Sequence, residues 1–244
     1  MATPSGEIGK WLQKRLKKGS GTTMALFGSS WSGKSTFLVD VLLNVVYLHM
    51  NATDSIEEPI QVLMTESPDA EPLKRLSNET IKHPEGLNQK FVDVACKLNR
   101  KWGNQYQFVM AFDDCMSMRY KTFVSSLFLT KRNANISSIV STQYPKLVGP
   151  DVRDNINRVC LFKFHGNKSV EAAVDIYLCQ YLPRDWRKEQ KYQFYEHWTR
   201  PAHGRCFVID QLVGEIVFVD EKRRLFNFQE MVDEYEENFI FREK

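Results

Sequence analysis

Eight residues early in the chain have the types and spacing that bind phosphate groups. Residues 28–35 read Gly-Ser-Ser-Trp-Ser-Gly-Lys-Ser and fit the pattern GxxxxGK[ST] without a mismatch. Gly28 and Gly33 let the backbone curl so that successive N–H groups point inward. Lys34 is expected to reach the β- and γ-phosphates, and the Ser35 hydroxyl to ligate Mg²⁺. The sequence therefore predicts a nucleotide site made by Gly28, Ser29, Ser30, Trp31, Ser32, Gly33, Lys34, Ser35 and Thr36.

An apolar run that ends in two acids predicts the second half of this site. Residues 108–112 read Phe-Val-Met-Ala-Phe, and Asp113 and Asp114 follow directly. A strand buried on both faces brings such a carboxylate to its polar tip. We expect Asp113 to complete the Mg²⁺ site and Asp114 to act as the base that polarises the attacking water.

A third polar position follows the next strand-like run. Residues 136–140 are mostly apolar and lead into Ser-Thr-Gln at 141–143. Gln143 is our candidate for a side chain that touches the γ-phosphate or the attacking water. The alternative is a polar residue at a strand end that faces solvent.

The identity of the nucleotide follows from a missing motif. A GTPase should carry NKxD, and the nearest match, Asn-Lys-Ser-Val at 167–170, lacks the acid. The sequence therefore argues against GTP. A small-molecule kinase would close an arginine-rich lid over the nucleotide, and the basic, aromatic residues 184–200 could form one.

The elements that must position these residues alternate along the chain. Alternating strands and helices indicate an α/β fold with a mostly parallel central sheet, helices on both faces and a C-terminal β-hairpin. Strands are predicted at 24–27, 60–64, 108–112, 136–140 and 159–164, the hairpin at 205–210 and 215–220, and helices at 34–50, 87–101, 117–131 and 169–179.

Charge and cysteine content place limits on the organisation of the chain. Its 244 residues carry a net charge of +3, which is too small to indicate a nucleic-acid partner by itself. We divide the chain into a basic arm (1–20), an ATPase domain (21–228) and an acidic tail (229–244) that either docks a partner or packs on its own domain. Five widely spaced cysteines without a CxxC pair are typical of a reduced, intracellular protein. No signal peptide is predicted, and the apolar residues 37–50 are too few to cross a bilayer.

These motifs together resemble the FtsK–HerA group of P-loop ATPases, and the resemblance implies a RecA-like P-loop NTPase fold. Within it, the chain is most similar to the genome-packaging ATPases of large DNA viruses, virophages and related tailless icosahedral viruses. The resemblance rests on residues 28–35, Phe-Asp-Asp at 112–114, Arg132 through Gln143, the following Tyr-Pro, and residues 153–164.

The resemblance implies a ring-forming translocase in which each nucleotide site lies between two subunits. It places an arginine finger at Arg132, acting on the nucleotide of a neighbouring copy, with Arg153 and Arg158 as reserve candidates. Such fingers contribute about 10³–10⁵ in rate. A surface or ion-paired arginine is the alternative at each position.

The resemblance also implies double-stranded DNA as a partner, gripped through its phosphates without regard to sequence. The alternative for each basic residue is a solvated helix face. Five aromatic residues, Trp186, Tyr192, Phe194, Tyr195 and Trp198, are expected in core or subunit packing, while Trp31 either stacks near the nucleotide or covers a gap. Candidate DNA contacts are Lys97, Arg100, Lys101, Arg184, Arg187, Lys188 and Lys191.

The function implied is an ATP-hydrolysing ring, pentameric or hexameric, that moves viral DNA into a preformed capsid. It would work in the host cytoplasm or viral factory, docked on a capsid vertex or portal protein and not on a membrane. The alternatives are a DNA pump of a mobile element or cell, a monomeric nucleotide or small-molecule kinase, and a catalytically silent packaging subunit.

Overall fold

The computed structural model describes residues 21–50, 60–67, 69–76, 80–83, 87–114 and 120–240, without the side chains of 44–50, 81–83 and 131–132. The predicted basic arm, residues 1–20, lies outside the described residues, and so does the start of the helix predicted at 117–131.

The described chain forms strands and helices in alternation, followed by three antiparallel strands. The strands are β1 (Thr23–Phe27), β2 (Ile60–Met64), β3 (Ile81–His83), β4 (Phe108–Phe112), β5 (Ile136–Thr142), β6 (Arg158–Phe162), β7 (Cys206–Asp210), β8 (Glu215–Val219) and β9 (Leu225–Asn227). The α-helices are α1 (Lys34–Met50), α2 (Gln89–Lys101), α3 (Lys121–Thr130), α4 (Pro150–Arg153), α5 (Asn167–Ala173), α6 (Lys188–Thr199) and α7 (Phe228–Tyr235).

These strands make one sheet in the order β3-β2-β4-β5-β1-β6-β7-β8-β9. The first six in that order pair in parallel, and β7, β8 and β9 continue the sheet antiparallel. The mostly parallel sheet and the C-terminal hairpin are thus confirmed. β9 extends the predicted hairpin to three strands, and β3 adds an edge strand that the sequence did not reveal, since three residues carry too little periodicity to detect.

The register brings the carboxyl ends of the central strands to one edge of the sheet. Phe27 at the end of β1 pairs with Thr142 at the end of β5, and Phe112 of β4 pairs with Val140. The segments that follow these strands are therefore neighbours in space, although more than a hundred residues separate the first from the last. This edge is where open α/β sheets bind ligands.

Side chains that alternate along β1 enter two different cores, as the two-residue period of a strand requires. Met24 and Leu26 pack with Phe37 and Leu38 of α1 on one face. Ala25 and Phe27 belong to the larger core on the other face, which also holds residues of α2, α3, α5, α6 and α7. β1 is therefore buried on both sides, which fixes the position of the segment that leaves it.

The aromatic segment at 184–200 contributes to this larger core. Trp186, Phe194 and Tyr195 are buried, and the Tyr195 hydroxyl donates to the carbonyl of Phe162 at the end of β6. α6 is thus a packed element of the domain. This position contradicts the alternative in which 184–200 forms a lid over a nucleotide, because a lid must open to solvent.

The C-terminal helix also packs against the domain. Phe228, Met231, Val232 and Tyr235 of α7 are buried, and the Trp186 indole donates to Glu236 over 2.8 Å. The side chain of Asn227 accepts hydrogen bonds from the backbone N–H groups of Gln229 and Glu230 and so starts the helix.

No helix within the described ranges has the length and apolar character needed to cross a membrane.

Candidate phosphate and metal site

The phosphate loop, residues 28–35, leaves β1 and enters α1. Its first residue has no room for a side chain, because a Cβ at Gly28 would lie 2.6 Å from the Phe162 Cβ and 2.7 Å from the Ser32 Oγ. Gly33 has a φ of +96°, which L side chains rarely adopt. Both glycines of the motif are thus required by the local backbone.

Lys34 folds back over the loop that precedes it. Its Nζ donates to the carbonyl oxygens of Gly28 and Ser29 over 2.8 and 2.9 Å. Burial lowers the pKa of this ammonium, while the negative charges of Asp114 and Asp113 oppose the shift. An arriving phosphate would add negative charge beside a buried cation, which stabilises the charged form of both.

The carboxylate of Asp113 reaches the end of the phosphate loop from β4. The Ser35 hydroxyl donates to Asp113 Oδ2 over 2.9 Å, so the two predicted metal ligands are in direct contact. Burial raises the pKa of Asp113, and the hydroxyls of Ser141 and Ser35 lower it in part. Asp113 Oδ1 is buried without a hydrogen-bond partner among the described residues.

These features fit a Mg²⁺ ion. Mg²⁺ is typically held by one or two protein oxygens and completes its octahedron with water and phosphate oxygens. Ser35 Oγ and Asp113 supply two oxygens of that kind, and the unpartnered Asp113 Oδ1 is a buried acceptor that a metal-bound water would satisfy. The cation would also offset the cost of ionising this buried carboxylate.

Asp114 and Gln143 meet on the open side of the loop. The Gln143 amide donates to the Ser30 hydroxyl over 2.8 Å and to Asp114 Oδ1 over 3.4 Å. Asp114 is exposed and has a φ of +58°, an uncommon conformation for a residue with a side chain and one that occurs often at functional sites. An acid and an amide are therefore placed together beside the loop, where a water molecule could be oriented.

Trp31 lies at the tip of the phosphate loop and is 87% exposed, with a φ of +60°. Its indole is too exposed to fill a gap within the described part of the domain, so that interpretation was wrong. Thr36 lies in the first turn of α1 and is half-buried.

Two of the three arginine candidates, Arg132 and Arg158, lie away from the phosphate-loop end of the sheet. Arg132 is in the turn that precedes β5, at the amino ends of the parallel strands and so at the opposite end of the sheet from the phosphate loop. Only its backbone position is described. Seven residues of β5 separate that turn from the phosphate-loop edge, roughly 20 Å at the usual rise of a strand. Arg132 could therefore serve only a site on another copy.

The two reserve arginines are held within their own domain. Arg158 is 2% exposed, lies 3.4 Å from the Asp210 carboxylate and pairs with Met24 at the start of β1, far from the loop. A finger must be able to reach a nucleotide, so this placement does not support that role for Arg158. Arg153 is half-buried in α4, and its Nε donates to the Val148 carbonyl over 3.3 Å.

Six of the seven candidate DNA contacts are exposed, and one is buried. Lys97, Arg100 and Lys101 are exposed on α2, and Arg184, Arg187 and Lys188 are exposed at and before the start of α6. Lys191 is an exception, because it is 8% exposed and its Nζ lies 3.6 Å from the Cys179 sulfur. A buried lysine cannot contact a DNA phosphate, so the assignment of Lys191 was wrong.

Sequence reasoning did not identify two histidines that contact the phosphate loop. His165 donates its backbone N–H to the Ser29 hydroxyl over 2.9 Å, and its Nε2 lies 3.3 Å from the Ser30 carbonyl oxygen. The Nδ1 of His203 contacts the Trp31 carbonyl oxygen. The position of His165, three residues after the end of β6, was a usable signal, whereas nothing local distinguishes His203.

No family model matches the sequence, and no curated protein matches it. Solved structures do match. The genome packaging NTPase B204 from Sulfolobus turreted icosahedral virus 2, in complex with sulfate, is 13% identical with a TM-score of 0.55, over 81% of this chain and 95% of that one.

Two further solved structures have a similar fold. B204, the DNA-packaging ATPase from Sulfolobus turreted icosahedral virus, is 15% identical with a TM-score of 0.52, over 80% of this chain and 95% of that one. EssC (ATPases 2 and 3) from Geobacillus thermodenitrificans is 11% identical with a TM-score of 0.52 and covers 90% of this chain and 44% of that one.

A steric prediction follows from Gly33. A Cβ there would lie 2.5 Å from the Gly204 Cα and N, so Gly33→Ala adds a backbone clash to an unfavourable φ. Gly103→Ala is the matched control, since Gly103 has a φ of +69° and open space around it. We expect Gly103→Ala to lower the free energy of unfolding by about 1–2 kcal/mol and Gly33→Ala to lower it by more, measured by urea denaturation. Equal losses would contradict the close approach.

Asp113 leads to a prediction about pH. Its pKa is higher in the folded than in the unfolded chain, so wild-type stability falls as the pH rises from about 3.9 through the folded pKa. Asp113→Asn removes this loss and should be more stable than wild type at neutral pH, with the difference shrinking on acidification. Denaturation without Mg²⁺ at several pH values measures it, and Asp185→Asn controls for the loss of one exposed charge. An Asn variant less stable than wild type at neutral pH would contradict the prediction.

By its sheet order, its phosphate loop and its solved neighbours, the chain has the fold of a P-loop NTPase similar to the viral genome packaging NTPases and the EssC ATPases.

Proposed function

We propose that this protein is a Mg²⁺-dependent ATPase whose ring-shaped assembly moves double-stranded DNA into a preformed viral capsid. The observation that carries the ATPase part is the contact between Ser35 and Asp113 next to the buried Lys34. The Lys34 ammonium, the Ser35 hydroxyl and the Asp113 carboxylate are the kinds of group that hold a metal ion and a triphosphate in P-loop enzymes.

Each residue of the candidate site would have a separate role in ATP hydrolysis. Lys34 would donate to the phosphate oxygens in place of its present bonds to the Gly28 and Ser29 carbonyls. Ser35 and Asp113 would hold Mg²⁺, which supplies charge neutralisation between the phosphates. Asp114 would accept a proton from the attacking water, and Gln143, which contacts both Asp114 and Ser30, would orient that water.

The neighbouring structures support nucleotide binding and a packaging role. B204 is named as a genome packaging NTPase, and its structures contain AMP, AMPPCP or ATP-γS. The chain spans 95% of B204 and 44% of the EssC chain. The fold itself does not select the transported molecule.

The position of Arg132 supports a shared site. Its turn lies at the amino ends of the strands, and the phosphate loop lies at their carboxyl ends. Its side chain could therefore complete only the pocket of an adjacent copy. The exposed cations of α2, Lys97, Arg100 and Lys101, are the candidate contacts to DNA phosphates. DNA binding through these residues would weaken with increasing salt.

The ATPase proposal is tested at Lys34. Lys34→Ala removes the buried cation that would neutralise the phosphates, and we expect Mg²⁺-dependent phosphate release from ATP to fall by about 100-fold or more. Lys168→Ala, which removes an exposed lysine of α5, is the matched control and should retain wild-type turnover. If wild type releases no phosphate with Mg²⁺, or if Lys34→Ala retains full turnover, the protein is not this kind of enzyme.

The shared site is tested by mixing subunits. Arg132→Ala mixed with wild type should inhibit DNA-stimulated turnover by more than its share of the total protein, because each variant subunit also impairs a wild-type neighbour. Lys168→Ala, an exposed position outside the site, should leave turnover unchanged at every mixing ratio. Proportional loss with Arg132→Ala, together with a monomer on size-exclusion chromatography with AMPPCP, would favour a monomeric kinase-like enzyme instead.

A further inference from the structure

The outer side of the phosphate loop is held by a turn from the C-terminal half of the chain. The Gly204 N–H donates to the Ser32 carbonyl over 2.9 Å, and the His203 Nδ1 contacts the Trp31 carbonyl. In a trans peptide the C=O and the next N–H point in opposite directions, and the described chain has no cis peptide. Holding these two carbonyls from outside therefore aims the N–H groups of Ser32 and Gly33 into the loop.

The turn is in direct backbone contact with the loop. A Cβ at Gly33 would lie 2.5 Å from both the Cα and the N of Gly204, a distance that leaves no space between the two segments. Gly204 itself has a φ of +84°. Any displacement of this turn would therefore be transmitted to the peptide groups of the loop.

Arg223 holds the turn in place from behind. Its Nη1 donates to the Gly204 carbonyl over 2.9 Å, and its Nε donates to the Asp40 carboxylate over 2.8 Å. Asp40 belongs to α1, the helix that begins with Lys34, and its other oxygen lies 3.1 Å from Arg75. The Arg223 guanidinium also lies over the Phe37 ring, 5.2 Å from its centroid. One half-buried side chain thus joins the turn to the helix that follows the loop.

Hydrogen bonds to Asp220 hold the segment that carries Arg223. It connects β8 and β9, and the buried Asp220 carboxylate accepts hydrogen bonds from the backbone N–H groups of Lys222 and Arg224 and from the Arg224 Nε. Arg223 has a φ of +64° within this turn. Such a conformation persists only where the surroundings impose it, and it is common where a side chain must be aimed at a functional site.

We propose that Arg223 is a positioning residue for the phosphate loop, acting through Gly204 and Asp40. The antiparallel strands β7 to β9 are then part of the nucleotide site as well as an extension of the sheet. The proposal rests on the proposed function to the extent that ATP is the ligand whose binding it controls. The orientation of the loop in the nucleotide-free protein does not depend on that assumption.

The test compares Arg223→Ala and Arg223→Lys with wild type in the full chain. Lysine keeps the positive charge but not the pair of guanidinium nitrogens that bond to Gly204 and Asp40 separately. We expect both variants to bind Mg²⁺–ATP more weakly, by roughly tenfold for alanine and less for lysine, as is typical of residues that act through a neighbour. KM should rise more than kcat falls, because the groups that do the chemistry are unchanged.

Arg205→Ala is the matched control. Arg205 pairs with Glu221 of the same turn over 2.6 Å, so its loss removes an ion pair from this segment without removing the bonds to Gly204 and Asp40. It should bind Mg²⁺–ATP within about twofold of wild type, well below the effect of a coupled position. If Arg223→Lys also binds ATP like wild type while only its melting temperature falls, Arg223 is a structural clamp and the proposal is overturned.

Amide hydrogen exchange supplies the second measurement, made without nucleotide. The Gly204 N–H is protected by its bond to the Ser32 carbonyl. Faster exchange of this amide in Arg223→Lys, with core amides of β1 unchanged, would support the positioning role even if wild type failed to bind ATP, a result that would count against the proposed function alone. Unchanged Gly204 exchange would overturn the proposal whatever the ATP affinity.

Discussion

The hydrogen bond between the Ser35 hydroxyl and the Asp113 carboxylate joins two segments that are 78 residues apart. It depends on β1 and β4 lying on either side of β5 in parallel register, so that the three strands end together. Because β1 is buried on both faces, the phosphate loop cannot shift relative to this edge without disturbing two cores. The rest of the site follows from this alignment.

Burial at the site has a cost that the ligands would offset. Lys34 and Asp113 are both buried, and burial shifts the pKa of each toward its neutral form. A metal and a triphosphate bring the opposite charges to both groups at once. The nucleotide-free site is therefore arranged for partners that are charged, and this arrangement is consistent with the proposed chemistry.

Local sequence patterns predicted the parts of the site that lie within one strand–turn unit. The phosphate loop, the acids after β4 and Gln143 after β5 each follow a strand-like run, and the parallel sheet brings them together as expected. β1 and β4 leave a clear signal because nearly every residue in them is apolar, whereas four of the seven residues of β5 are Ser or Thr. The core position of Trp186, Phe194 and Tyr195 was predictable from their large aromatic side chains.

Contacts across long stretches of sequence were not predictable. Arg223 and Asp40 are 183 residues apart, and neither sits in a motif. The same is true of His203 and of Arg158, whose burial with Asp210 depends on the pairing of β6 with β7. A charged residue looks alike in sequence whether it lies on the surface or in a buried pair, and only the tertiary arrangement distinguishes the two.

In the part of the chain that the structure describes, β3 and β9 are the outermost strands of the sheet, and they limit how copies could associate. β3 and β9 are three residues each, and both carry a charged or strongly polar residue within or beside them, Lys82 in β3 and Arg224 before β9. Short, charged borders discourage strand-to-strand addition between molecules. An oligomer of this chain should therefore form through helices and loops, so that hydrogen bonds between strands stay within each subunit.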